Sequence, residues 1–318
     1  MPETAPLLAT PGAPVPAGGV AEWYEGDGGL RLRAALFPAR AAPRGSVVVS
    51  PGRSEPIEKY FEVVGELNAR GFCVLVHDWR GQGLSARLLK DPMKGHAEGY
   101  QPFLADYRRL LDAFEARLPG PLIALGHSMG GALNLLSLEQ GEARFAAAAL
   151  TAPMMAVITG PVPAVVARGL CAAVRLAGGA GAYVSRNSHP LAGTFAGNPL
   201  THDEHRYERY HDQLRAHPEL QLGGVTWGWL DFALQVEIAL RAHGAPEGVD
   251  IPVAFVMAGE ERLVVSACAE GLAQRLPRGH CTTIPGALHE LLMETDDIRA
   301  AFWAAFDKIA DEVAPPRG

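Results

Sequence analysis

Leu122-Ile123-Ala124-Leu125-Gly126-His127-Ser128-Met129-Gly130-Gly131 is the stretch whose reading decides the fold. An apolar run of strand character passes straight into Gly-His-Ser-Met-Gly, and Ala132 to Glu139 then reads as helix. This is G-x-S-x-G between a buried strand and a helix, the setting that gives the motif chemical meaning. Such a turn holds the serine in a strained conformation that lifts its hydroxyl above the sheet edge. Gly126 and Gly130 flank it too closely for any side chain, and Gly131 lets the helix pack on the strand. The start of that helix brings free N–H groups and a positive dipole end close to the serine.

The same alternation extends both ways. Ala21–Gly26 and Leu30–Phe37 read as short strands around the Asp27-Gly28-Gly29 turn. Ser46–Ser50 is a Val-rich strand of the doubly buried kind. Ile57–Arg70 carries helical periodicity, with Ser54 expected as its N-cap. Phe72–His77 is the next strand, then the loop Asp78–Ser85, in which Asp78 and Arg80 are expected to form a structural charge pair. A helix from Tyr100 to Leu118 precedes the serine strand, and the strand Phe145–Thr151 follows it. After about eighty residues the pattern resumes. Asp231–His243 reads as helix, stopped by Gly244, then Pro252–Ala258 as strand, Ser266–Leu276 as helix, Cys281–Ile284 as strand and Ile298–Val313 as helix. Strand–helix alternation of this kind implies an α/β fold: a mostly parallel eight-stranded sheet with helices on both faces. The expected organisation is a Pro/Ala-rich lead over 1–20, a core over 21–153 and 231–313, an inserted helical cap over 154–230, and a tail over 314–318.

At 318 residues, 48% hydrophobic and 20% charged, the chain can bury a sizeable core around one sheet. Its net charge of −7 and lack of basic runs argue against nucleic acid as a partner. Cys73, Cys171, Cys268 and Cys281 are far apart and lack C-x-x-C spacing, which points to reduced thiols rather than disulfides or zinc. The amino terminus carries no cationic segment followed by an apolar core, so no secretion signal is expected and a cytoplasmic location is.

A serine hydroxyl is a weak nucleophile at neutral pH and needs a histidine base, itself oriented by a carboxylate. In this architecture the partners follow in the order serine, acid, histidine, each on a loop after a later strand. Of eleven histidines, His289 sits on the loop between the last strand and the last helix. No Asp or Glu lies between Glu142 and Asp203, so the acid falls to the loop Gly259-Glu260-Glu261-Arg262; Glu261 is favoured over Glu260. The oxyanion formed on attack needs two donors: the backbone N–H of Met129, and that of Arg53 in the loop after Ser46–Ser50. The plainer reading of Gly52-Arg53 is a tight strand-to-helix connection.

Pro51-Gly52-Arg53-Ser54-Glu55 with Glu58-Lys59-Tyr60, Asp78-Trp79-Arg80-Gly81-Gln82-Gly83-Leu84-Ser85 and Gly126-His127-Ser128-Met129-Gly130-Gly131 together resemble the lysophospholipase/monoacylglycerol lipase branch of the α/β-hydrolases, the serine aminopeptidase-like hydrolases. Thr151-Ala152-Pro153-Met154, Asn198-Pro199-Leu200-Thr201, Gly259-Glu260-Glu261-Arg262-Leu263-Val264 and His289-Glu290-Leu291-Leu292 agree, and the likeness runs over about residues 21–312. It implies the α/β-hydrolase fold and a carboxylic ester hydrolase of single-chain glycerolipids, working without cofactor or metal. Ser128, Glu261 and His289 fall on its triad positions. Glu261 stands where the family usually has Asp, and Pro51 where it often has His.

Within the cap, Pro161–Ala177 is apolar nearly all round, with Arg168 and Arg175 on one helical face; it is too short to span a bilayer. It reads as a helix resting on the core, or as an acyl-chain lid that also touches lipid at the inner membrane face. The charged stretch from Thr201 to Asp212 begins with a capping signal; His202 and His205 have the spacing of metal ligands, but a solvated helix face is the expectation. Trp227-Gly228-Trp229-Leu230 reads as cap-to-core packing rather than an aromatic cage. Arg53 is also placed to reach a lipid phosphate, against a solvent-facing alternative. The readings kept beside the lipid esterase are a general carboxylesterase or thioesterase, an acyltransferase, and a non-catalytic lipid-binding protein on the same fold.

Overall fold

A computed structural model describes residues 3–158, 162–185, 189–242 and 244–316 of the chain. The expected helix end at His243, the first residue of the apolar stretch at Pro161 and the last two residues of the tail lie outside that range.

The strands are β1 (Thr4–Ala5), β2 (Val20–Glu25), β3 (Arg31–Phe37), β4 (Gly45–Ser50), β5 (Phe72–His77), β6 (Leu122–His127), β7 (Phe145–Thr151), β8 (Val253–Ala258) and β9 (Gly279–Ile284). The helices are α1 (Phe61–Ala69), α2 (Gln101–Phe114), α3 (Met129–Glu139), α4 (Ala164–Leu176), α5 (Glu204–Ala216), α6 (Trp227–Leu240), α7 (Ser266–Ala273) and α8 (Asp296–Val313). Among the described residues the sheet has nine strands in the order β1-β2-β3-β5-β4-β6-β7-β8-β9. The first four strands in that order pair antiparallel, and every pairing from β5 through β9 is parallel. This is the α/β-hydrolase fold, with one strand more than the eight expected. The addition is β1, a two-residue strand in the lead, formed because the outer edge of β2 offers unpaired backbone groups to Thr4 and Ala5.

β4, β5, β6 and β8 are buried at every position, as strands covered on both faces must be. One face carries α2, α3, α6 and α7, whose Phe103, Tyr107, Leu133, Phe232 and Leu272 meet Val48, Leu75 and Phe255 of the sheet. The other carries α1 and α8, whose Val64, Leu67, Phe302 and Phe306 meet Val47, Val74 and Ile123. The turn at β6–α3 therefore stands at the carboxyl edge of the sheet, between two closed layers.

Ser54 is not an N-cap. It sits at φ 65° with its hydroxyl donating to the Arg53 carbonyl, and the helical turn that precedes α1 starts after Pro56. Its cap comes from a distance: Asp78 Oδ1 accepts from the Ile57 N–H at 2.9 Å. Asp78 and Arg80 are also not each other's partner. Asp78 takes the fully buried Arg33 at 2.7 Å and Arg80 takes Asp106 at 2.6 Å, each reaching to its own side of the sheet edge.

Between β7 and β8 the chain forms α4, α5 and α6. Asp203, rather than Thr201, caps α5 by accepting from the Arg206 N–H at 2.8 Å. Thr226 caps α6, so Trp227-Gly228-Trp229-Leu230 is a first helical turn. α6 packs on both α3 and α4. No helix among the described residues is long and apolar enough to cross a membrane.

Candidate active site

Ser128 lies between β6 and α3 at φ 49°, ψ −114°, a conformation that L-residues avoid unless the surroundings impose it. The surroundings do so through three backbone bonds. The Ser128 N–H donates to the Thr151 carbonyl at 3.0 Å, and the Ser128 carbonyl accepts from Ala132 and Met154. A Cβ at Gly126 would come within 2.6 Å of the Gly131 Cα, and one at Gly130 would strike the Ser50 carbonyl oxygen. The glycines are therefore what allow this turn to close.

His289 arrives on the loop after β9 and is buried, its backbone fastened by neighbours. The Leu288 N–H donates to Glu294 at 2.8 Å and the Glu290 N–H to the Leu200 carbonyl at 2.8 Å. Its Nε2 stands 3.0 Å from Ser128 Oγ and its Nδ1 2.7 Å from Glu261 Oε2. The other carboxylate oxygen of Glu261 accepts from the N–H groups of Arg262, Leu263 and Val264 at 2.9, 2.8 and 3.3 Å. Burial alone would raise the Glu261 pKa. The hydrogen bond to the His289 ring, the charge of that ring and the loop N–H groups outweigh it and hold the carboxylate below its usual range. Glu260 points away, exposed, with Arg262 3.9 Å off.

Of the two oxyanion candidates, Met129 is the first residue of α3 and Arg53 follows Gly52 in the loop after β4. Among the described residues neither backbone N–H is bonded within the protein. The loop around Arg53 is held from several sides. Trp79 Nε1 donates to the Pro51 carbonyl at 2.9 Å, Gln82 donates to the Gly52 carbonyl at 2.8 Å, and Tyr210 donates to the Ser54 carbonyl at 2.6 Å.

The deepest hold on that loop is Glu55, whose part sequence reasoning missed. Its carboxylate accepts from the Gly52 N–H (2.5 Å), the Tyr60 hydroxyl (2.6 Å) and Lys59 Nζ (2.7 Å). Lys59 bridges on to Glu290 at 2.6 Å, the residue beside His289. Burial works against charge in both partners, yet Lys59 pulls Glu55 down while Glu290 and then Glu55 push Lys59 up, so both stay ionised. The i,i+4 spacing of Glu55 and Lys59 was the available signal; that the pair is buried and faces the site was not in it. His127, beside the serine, packs 5.0 Å from the His289 ring, and burial lowers its pKa so that it stays neutral. His202 pairs with Glu294 at 2.9 Å; His205 lies elsewhere on the exposed side of α5.

Ser128 and His289 line a cavity of about 960 Å³, within the range that holds a small lipid or drug-sized ligand. Arg53, Lys59, Tyr210 and Glu290 give it a polar wall, and Val157, Ile158, Leu230 and Leu263 an apolar one. A hydroxyl, an imidazole and a carboxylate in this sequence of hydrogen bonds can activate the hydroxyl for attack on a carbonyl.

Residues 41–296 match the family described as serine aminopeptidase, S33. Lysophospholipase L2 of Escherichia coli (strain K12) is 34% identical over 293 residues, which cover 87% of this chain and 83% of that protein. Monoacylglycerol lipase of Mycolicibacterium smegmatis is 30% identical over 145 residues, 45% of this chain and 50% of that one. Among solved structures, a soluble variant of monoglyceride lipase from Saccharomyces cerevisiae superposes with a TM-score of 0.71 at 18% identity, covering 92% of this chain and 95% of that one. A thermostable carboxyl esterase from Bacillus coagulans does so at 0.73 and 18%, covering 93% and 99%. The chain belongs to the serine aminopeptidase S33 family of hydrolases.

Proposed function

We propose that this protein hydrolyses the carboxylic ester of single-chain glycerolipids, with Ser128 as nucleophile, His289 as general base and acid, and Glu261 as the carboxylate that orients it. The reading is carried by one observation: Ser128 Oγ, both His289 nitrogens and Glu261 form an unbroken line of hydrogen bonds at 3.0 and 2.7 Å, whose Ser128 and His289 end faces a cavity with one apolar wall. The relatives named lysophospholipase and monoacylglycerol lipase support the substrate class.

In the first half-reaction His289 Nε2 takes the hydroxyl proton as Ser128 Oγ attacks the ester carbonyl. The N–H groups of Met129 and Arg53 receive the oxyanion. Collapse leaves the acyl group on Ser128, and His289 returns its proton to the departing glycerol oxygen. Water, activated by the same imidazole, then releases the fatty acid. Glu261 keeps the proton on Nδ1, which leaves Nε2 free to accept.

The segment 154–230 acts in this reading as a cap over the acyl chain. Val165, Val166, Leu170 and Leu176 of α4 are exposed, Leu176 at 91%, while the inward Ala167 and Cys171 of the same helix pack with Val157 and Leu230 of the apolar wall. The four exposed side chains form the face on which the enzyme meets a lipid surface transiently.

Ser128→Ala is expected to lower hydrolysis of 1-oleoyl lysophosphatidylethanolamine or 1-monooleoylglycerol by about a millionfold while the circular-dichroism melt stays near wild type. Near-wild-type turnover by that variant would remove the proposal.

A further inference from the structure

The polar wall of the cavity holds a cation that the ester chemistry leaves without a part. We propose that the Arg53 guanidinium is a receptor for the phosphodiester of a lysophospholipid head group, and that it makes the enzyme select single-chain phospholipids over uncharged monoacylglycerols. The inference rests on the esterase reading above and sharpens it.

Lys59, the neighbouring cation, is neutralised by Glu55 and Glu290 at 2.7 and 2.6 Å. Arg33, the fully buried arginine beneath, is held between Asp78 and Glu58, each at 2.7 Å. Arg53 has no such partner: among the described residues no carboxylate lies within ion-pair distance of it. Its Nη2 donates to the neutral carbonyl of Gly223, its guanidinium lies 5.4 Å over the Trp229 ring, and its Nε is sealed from solvent with no acceptor at all. Withdrawal from water without an acid pulls its pKa down to about 10, which still leaves it cationic at neutral pH. A desolvated, uncompensated guanidinium is costly to keep, and a phosphodiester is the anion whose paired oxygens suit its planar fork.

The position is built rather than incidental. A Cβ at Gly95 would come within 2.7 Å of Arg53 Nη2 and 3.2 Å of Nε, so the glycine leaves room for the guanidinium in this position. That loop is tied to the cap by the Gly95 N–H to the Gly224 carbonyl (3.0 Å) and the Gly223 N–H to the Met93 carbonyl (2.8 Å). The guanidinium is thus clasped between a core loop and the cap, on the wall of the cavity that holds Ser128. Its own backbone N–H is the proposed oxyanion donor. One residue thereby offers the site both a backbone donor and a side-chain cation.

The test compares kcat/KM for 1-oleoyl lysophosphatidylethanolamine and 1-monooleoylglycerol in mixed detergent micelles, for the full chain and its R53M and R53K variants. The wild type is expected to favour the phospholipid at least tenfold. R53M should bring the ratio to about one, mainly through KM, and R53K should restore part of it, since lysine keeps the charge without the fork. A wild-type ratio near one, or a ratio that R53M and R53K leave unchanged, overturns the proposal while the esterase reading stands. If R53M also loses hydrolysis of p-nitrophenyl butyrate, R53K decides by the same ratio. Inorganic phosphate added to the butyrate assay separates sources: inhibition of the wild type with no substrate preference marks a free-anion site and overturns the head-group role. Failure of the wild type on all three esters would remove the esterase reading and this inference together.

Discussion

At the scale of single residues, Glu261, the carboxylate proposed to orient His289, divides its two oxygens between two tasks. Its extra methylene lets one oxygen fold back onto three N–H groups of its own loop while the other reaches the imidazole. The same geometry predicts what an amide does there. In E261Q the amide oxygen stays with the three backbone donors, so the NH2 faces His289 Nδ1 and forces the proton onto Nε2. That tautomer cannot accept from Ser128, and kcat should fall by about ten-thousandfold. E260Q, altering an exposed side chain 3.9 Å from Arg262, should stay within about twofold. Steady-state kinetics on p-nitrophenyl butyrate check both, and the reverse order would move the acid by one residue. The choice between the two glutamates was open in the sequence because adjacent residues share every local signal. Only the path of the loop after β8 separates them.

At the scale of elements, legibility followed the origin of each element's stability. β5 and β7 were readable to the residue, because a doubly buried strand writes its burial as an unbroken apolar run. The start of α6 was placed late: Trp-Gly-Trp resembles packing more than a helix, and its cap Thr226 lies outside the periodic stretch. Ser54 misled for a related reason. The donor it was expected to satisfy is taken by Asp78, twenty-one residues along the chain, and no local pattern carries that. α4 was legible as apolar, though not as to which face would stay uncovered; Ala167 and Cys171 turn inward and Val165 and Leu176 outward. Burying a valine and a leucine in lipid contributes about 1.5–3 kcal/mol each. The double substitution Val165→Glu and Leu176→Glu should therefore reduce partitioning onto phosphatidylglycerol vesicles at least tenfold in a flotation assay. Hydrolysis of monomeric p-nitrophenyl butyrate should be retained, and unchanged flotation would exclude α4 as the contact.

For the whole molecule, one carboxyl group makes stability depend on pH in an unusual direction. Glu139 ends α3 with both carboxylate oxygens buried and, among the described residues, without a hydrogen-bond partner, and burial raises its pKa to about 8 against only partial help from Arg275. Between its ordinary value and about 8 the native state holds a proton that the unfolded chain has lost, so stability falls as pH rises through that window. E139Q, which keeps the shape and removes the titration, should raise Tm relative to wild type at pH 9 and match it near pH 5. Differential scanning calorimetry at the two pH values reads this, and equal melting at pH 9 would refute it. The cap, finally, is hung unevenly. Arg206 of α5 grips Glu62, Asp296 and the Glu294 carbonyl, and Arg209 grips Glu62 as well, all on the core side. α4 instead leans on α6, through Arg168 to Glu237 and Arg175 to Asp231. On the proposed reading this makes α5 the doorpost and α4 the door, past which a fatty chain would thread while the post keeps the polar end of the doorway at constant width.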